Sequence, residues 1–145
     1  MRRAAVAVLS AATLALPAVN ALAATPKTTP KKKVVNKWKS FTGVLGSADR
    51  WGDVQVTIVV KKTTTTNLTT KKKTVKRRIT GVKVPVYPDH TGRSVFISEQ
   101  ALPYLIQETI QAQSTAIDLV SGATYTSEGY ASSLQSAILK ARAWK

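Results

Sequence analysis

Trp51-Gly52-Asp53-Val54-Gln55-Val56-Thr57-Ile58-Val59-Val60 is the stretch on which the fold turns. Val54, Val56, Ile58 and Val60 fall at every second position with Gln55 and Thr57 between them, the period of a half-buried strand. A shorter β-like run, residues 39–45 with Phe41 and Val44, precedes it across a Gly- and Ser-containing connection at 46–50 that suits a hairpin. Downstream, residues 75–86 resume β character through Ile79, Val82, Val84 and Val86, with Gly81 marking a bulge and Pro85 an edge. The threonine-rich segment 61–73 between them reads as a long hairpin tip. Because threonine favours extended backbone, the two strands can equally continue outward as an exposed ribbon.

The C-terminal half turns helical. Ser98 reads as an N-cap, Glu99 sits in the first turn, and Leu102, Leu105, Ile106 and Ile110 recur at helical spacing through about Gln113. Pro103 is tolerated in a first turn, so a helix starting near Leu102, or a short turn and a restart, is expected. A second helix is expected from Thr126 or Ser127 to Ala141, with Tyr130, Leu134 and Ile138 on one face. Hairpins first and helices second predict an α+β fold: an antiparallel sheet of about three to four strands with two main helices packed on one side.

The 145 residues amount to one domain, and 22 Lys and Arg against 7 Asp and Glu give a net charge of +15. With no Cys, disulfides, thiolate zinc sites, iron–sulfur clusters and cysteinyl flavin links are excluded, and the single His argues against a metal enzyme. Met1-Arg2-Arg3, an uncharged Ala/Leu/Val run and Ala21-Leu22-Ala23 form the pattern of a cleaved signal peptide over 1–23, so an exported protein of the cell envelope, periplasmic or extracellular, is expected. Residues 24–38 are expected to be a basic flexible linker and 39–145 the folded domain. Residues 27–83 carry 16 basic side chains against Asp49 and Asp53, whereas 84–145 carry four basic and five acidic. The charge therefore belongs to one half of the chain.

Asp118-Leu119-Val120-Ser121-Gly122-Ala123-Thr124-Tyr125-Thr126-Ser127 joins the two expected helices. Small residues and hydroxyls ahead of a helix N-terminus make a concavity whose backbone N–H groups and dipole favour a phosphate, although such loops more often simply cap the helix. Asp118-x-x-Ser121-Gly122-Ala123-Thr124 resembles the flavinylation motif of the FMN-binding domain family, which includes the periplasmic C subunit of the sodium-pumping quinone reductase and the Rnf complex G subunit. The 51–56 strand, Ala101-Leu102-Pro103-x-Leu105, Gln111-Ala112-Gln113-Ser114 and Ser132-Ser133-Leu134-Gln135-Ser136-Ala137 also resemble small exported members of that family.

The resemblance implies an electron carrier rather than a self-sufficient enzyme, with FMN joined through its phosphate to Thr124. A separate Mg-dependent flavin transferase would supply the FMN from FAD. An unaided threonine hydroxyl is a poor nucleophile, and the motif holds no His or Lys base. By the same resemblance Asp118 orients the motif or braces its loop, Ser121 bonds phosphate or backbone, and Gly122 and Ala123 leave room for the flavin. Tyr125 and Thr126 complete the candidate cofactor set. The redox donor and acceptor would lie outside the cytoplasmic membrane.

Plainer roles exist for each residue. Thr124, Thr126 or Ser127 can cap the last helix, Asp118 can make an Asx turn, and Tyr125 and Tyr130 can pack in the core, the commoner fate of aromatics. His90 belongs to the turn Pro88-Asp89-His90-Thr91-Gly92, and Trp51 and Trp38 either shield a flavin edge or pack at strand edges. Two other functions remain open at this level: noncovalent FMN binding, and a secreted basic module that binds an anionic wall polymer or membrane surface through residues 31–39 and 71–78. No known motif or aromatic platform accompanies the charges, which disfavours nucleic acid as the partner.

Overall fold

The computed structural model describes residues 31–145. The expected signal peptide and residues 24–30 of the expected linker lie outside the described residues. In chain order the elements are β1 (Lys32–Thr42), β2 (Gly46–Ser47), a 3₁₀ turn (Asp49–Trp51), β3 (Asp53–Asn67), β4 (Lys73–Val86), α1 (Gly92–Ala112) and α2 (Thr124–Arg142). The fold is α+β, as expected: a four-stranded antiparallel sheet with two helices on one face.

β3 is the centre of the sheet. Its alternating Val54, Val56, Ile58 and Val60 are all buried, and they meet Leu102 and Leu105 of α1 and Tyr130, Leu134, Ala137 and Ile138 of α2. β1 pairs with β3 from Thr42↔Thr57 out to Lys32↔Asn67, while β4 pairs with it from Gln55↔Val86 to Thr66↔Lys73. β2 pairs with Val54 and Asp53 at the start of β3. The bulge at Gly81 is real, since Val59 faces Gly81 but Val60 faces Ile79, leaving Thr80 as the extra residue. A second register shift, between Gln55 and Thr57, brackets Pro85 on the edge strand β4, where a missing N–H is tolerated.

Part of the expected linker is strand. Residues 32–38, expected to be flexible, form the outer part of β1. They have no buried apolar face, so periodicity does not reveal them. Their order comes from pairing with the threonine-rich half of β3, supplemented by a hydrogen bond from Thr63 Oγ1 to Asn36 Oδ1 at 2.8 Å. The 61–73 segment correspondingly takes the ribbon form, with a turn only at residues 68–72.

α1 begins six residues before the expected cap. Thr91 is the N-cap and forms a reciprocal capping box with Ser94: Ser94 N donates to Thr91 Oγ1 at 3.1 Å, and Thr91 N to Ser94 Oγ at 3.0 Å. Ser98 instead lies buried inside the helix, where its hydroxyl donates to the Pro88 carbonyl at 3.2 Å. Pro103 neither starts nor interrupts the helix. It sits on the exposed face, where water can serve the carbonyl that its ring deprives of a partner.

α2 is seated on the sheet at unusually close range. β1 leaves β3 at Gly43, and the Val56 N–H donates to the buried hydroxyl of Ser133 at 2.9 Å. A Cβ added at Gly43 would overlap the Ser133 carbonyl, and one at Gly46 the Gly129 carbonyl, so both positions require glycine for this approach. Tyr130 is fully buried, as expected of a core residue, with its hydroxyl 2.9 Å from Thr109 Oγ1 and 3.2 Å from the Leu105 carbonyl. Burial pushes its phenol up to about 12, partly opposed by the Thr109 hydrogen bond. None of the described helices is long and apolar enough to cross a membrane.

Candidate functional site

After α1 the chain crosses back toward the start of α2 through residues 113–123. Gln113 leaves the helix in a left-handed conformation, and its side-chain amide grips β4: Ile79 N donates to Oε1 at 2.7 Å, and Nε2 donates to the Ile79 carbonyl at 2.9 Å. The connection ends in a tight turn closed by Ala123 N donating to the Val120 carbonyl at 3.0 Å. Gly122, the third residue of that turn, has φ +81°, which a side chain rarely adopts. Ser127, buried in the first turns of α2, accepts a hydrogen bond from Val120 N at 3.1 Å and so holds the turn against the helix.

This arrangement leaves the helix start open. The N-cap residue is Ala123, which has no capping side chain. Among the described residues no protein acceptor meets the backbone N–H groups of Thr124, Tyr125 or Thr126. Unmet first-turn amides and the positive end of a helix dipole attract an anion. The expectation of a hydroxyl cap is therefore corrected. Thr124 is the first helical residue rather than the cap, and Thr126 and Ser127 lie buried inside the first turn.

These amides open on a cavity of about 360 Å³ lined by Trp51, Pro88, Arg93, Ser94, Ile97 and residues 122–126. The N-terminal turns of both helices face the same space, since Arg93 and Ser94 belong to the first turn of α1. Arg93 is exposed and has no carboxylate within ion-pair distance among the described residues. Trp51 and Ile97 supply apolar wall. Tyr125 is 47% exposed, so it belongs to the cavity rim and not to the core.

The expected site residues are thus partly gathered. Gly122, Ala123, Thr124, Tyr125 and Thr126 line the cavity. Asp118 and Ser121 are exposed on the loop, do not line it, and make no side-chain hydrogen bond among the described residues. Of the two tryptophans, Trp51 is in the wall, whereas Trp38 lies on the sheet beneath the ammonium of Lys61. His90 is an exposed turn residue 3.3 Å from Asp89. Sequence reasoning missed Pro88, Arg93, Ser94 and Ile97. The Thr91-x-x-Ser94 capping box was the available signal, since it places a helix start beside the turn at Pro88.

The donor set fits a flavin phosphate. A Cβ built on Gly122 meets nothing within 4 Å, so the turn leaves clear space beside three free amides, a threonine hydroxyl and an unpaired guanidinium. No group of three or more His, Cys, Asp or Glu that could hold a metal occurs among the described residues.

A search of curated proteins finds no match to this chain. A family model, described as the FMN-binding domain, matches residues 49–139, from the 3₁₀ turn before β3 almost to the end of α2. That span exceeds half of the chain and encloses every residue lining the cavity, and the chain belongs to the FMN-binding domain family.

Proposed function

We propose that the protein is an exported electron carrier whose FMN is held as a phosphoester on Thr124. The observation that carries this reading is the state of that residue: its hydroxyl is exposed and bonded to no protein group among the described residues, and it opens a helix whose first three amides are also free. A capping or buried threonine would be occupied; this one is available.

In this reading the Thr124, Tyr125 and Thr126 amides bind phosphate oxygens, and Arg93 supplies the compensating charge. Trp51, Ile97 and Tyr125 flank the aromatic part of the ligand and exclude water from one side of it. FMN, when bound, supplies one- and two-electron redox chemistry. Among the described residues, those lining the cavity include no His, Asp, Glu or Lys that would take the proton from Thr124 Oγ1. As the resemblance to the flavinylation motif implies, attachment would be the work of a Mg-dependent flavin transferase: the threonine O–H loses its proton, a bond forms between Oγ1 and the FMN phosphorus of FAD as the pyrophosphate bond breaks, and AMP departs. Covalent attachment suits a protein carrying the expected leader at 1–23, because a dissociated flavin would be lost by dilution outside the cell.

Co-expression with a flavin transferase tests the reading. Intact mass should rise by one FMN residue, fluorescence should survive denaturing electrophoresis, and peptide mapping should place the mass on Thr124. Thr124→Ala should abolish the label and Thr124→Ser should retain it. An unmodified mass in the presence of active transferase overturns the covalent assignment.

A further inference from the structure

The outer half of the sheet has no role in the flavin site, yet it holds most of the protein's charge. Burial on β3 and β4 ends at Val60 and Ile79, and beyond them β1, β3 and β4 run on as a three-stranded ribbon. Segments 31–39 and 61–78 contribute 13 Lys and Arg and no Asp or Glu. The only ion pair among the described residues is Asp89–His90, so no carboxylate relieves these cations.

The register sorts them onto both faces. Lys37, Lys62 and Arg77 stand abreast across the three strands on the face that continues from Val60, with Lys33 and Lys73 further out. Lys61 and Arg78 are paired on the opposite face, next to Lys76, while Lys71 and Lys72 occupy the turn. Like charges directly opposed across strands oppose pairing. The ribbon is thus assembled against its own repulsion, which a polyanion would relieve.

Charge on two faces discriminates among acidic partners. A planar membrane meets one face and leaves the other idle, and the exposed apolar residues of the ribbon are split, Val35 and Val75 on one face, Val34 and Trp38 on the other and Leu68 in the turn, so neither face carries more than two to insert. A flexible chain can engage both faces. The ribbon also offers the hydroxyls of Thr64, Thr65 and Thr66 as uncharged donors, and Trp38, 59% exposed with Lys61 over its ring, as an apolar edge for a sugar ring. We propose that the ribbon binds a flexible phosphodiester-linked glycopolymer of the cell wall, the polyanion that the expected leader would bring within reach. The proposal is independent of the flavin chemistry and survives or fails without it.

Co-sedimentation of the exported protein with cell-wall sacculi tests it, using sacculi that keep their phosphodiester polymer and the same sacculi after acid extraction. Binding to intact sacculi should weaken about 300-fold between about 50 and 200 mM salt if some six phosphates of a flexible chain are engaged, and extraction should abolish it. Two triple variants, Lys33, Lys37 and Lys62→Gln on one face and Lys32, Lys61 and Lys76→Gln on the other, should each lose more than about tenfold in affinity. The matching Lys→Arg triples should bind like the parent. Equal retention by extracted sacculi, loss from one face alone, or tighter binding to phosphatidylglycerol vesicles or duplex DNA overturns the proposal. Should a Gln variant lose its melting transition, the salt dependence and the extracted-wall comparison on the unaltered protein decide the matter.

Discussion

Replacing Tyr130 by Phe should cost stability at neutral pH and restore it in alkali. The hydroxyl is fully buried and shared with Thr109 Oγ1 and the Leu105 carbonyl. Thr109 Oγ1 keeps its own 2.7 Å bond to that carbonyl in the variant, so no buried group is stranded and the loss is one neutral hydrogen bond, about 1 kcal/mol. Burial raises the folded-state phenol from 10.0 to about 12. A group whose folded pKa lies above its unfolded value contributes stability that is complete below the unfolded pKa and lost as pH climbs toward the folded one. At pH 11 the parent should have lost about 1.4 kcal/mol by this route, and Tyr130→Phe nothing. The stability curves should therefore cross between about pH 10.5 and 11, the variant being the more stable beyond. Urea unfolding followed by tryptophan fluorescence from neutral pH into alkali measures the difference, in which everything the two proteins share cancels. A difference that stays flat with pH would refute the account of Tyr130.

Gly46→Ala should destabilise the fold by about 2–3 kcal/mol in a thermal melt, because the new methyl group meets the Gly129 backbone and α2 must lift from the sheet. Ser133→Ala should cost about 1–3 kcal/mol, since it strands the Val56 N–H in the core; Ser133→Thr is no substitute where Gly43 packs so closely. In the Thr124→Ala background, Arg93→Gln should raise the Kd for added FMN about tenfold and leave riboflavin unchanged, as measured by fluorescence titration. An equal loss for both ligands would show that Arg93 does not meet the phosphate.

The sheet was legible wherever one of its faces is buried. The alternation from Val54 to Val60 announces β3, and Gly81 announces its bulge, because both leave a period or a breaker in the chain. The outer part of β1 left neither, since 32–38 has both faces exposed and its order resides in cross-strand pairing with threonines thirty residues away. The start of α1 was misread because Ser98-Glu99 spells a cap as convincingly as Thr91-x-x-Ser94, and only burial of Ser98 against Pro88 separates them. At the site, composition alone marked 118–127 as a loop whose helix start favours a phosphate, and the individual residues came from the resemblance to the flavinylation motif. Arg93 was not legible, because it reaches the cavity from a distant part of the chain, brought there by the start of α1; Trp51 was readable only as one of two tryptophans able to shield a flavin edge, and the 3₁₀ turn is what selects it.

β3 is one uninterrupted strand of 15 residues, with Trp51 just ahead of its first residue and the turn at 68–72 just beyond its last. At about 3.3 Å per residue that is roughly 45 Å of extended chain between the cavity end and the ribbon tip. Partners bound one at each end would therefore stay apart so long as neither is wider than that span. A docked redox partner would not have to displace whatever holds the ribbon, and the protein could work as a spacer, keeping one end fastened while the other stays open to traffic.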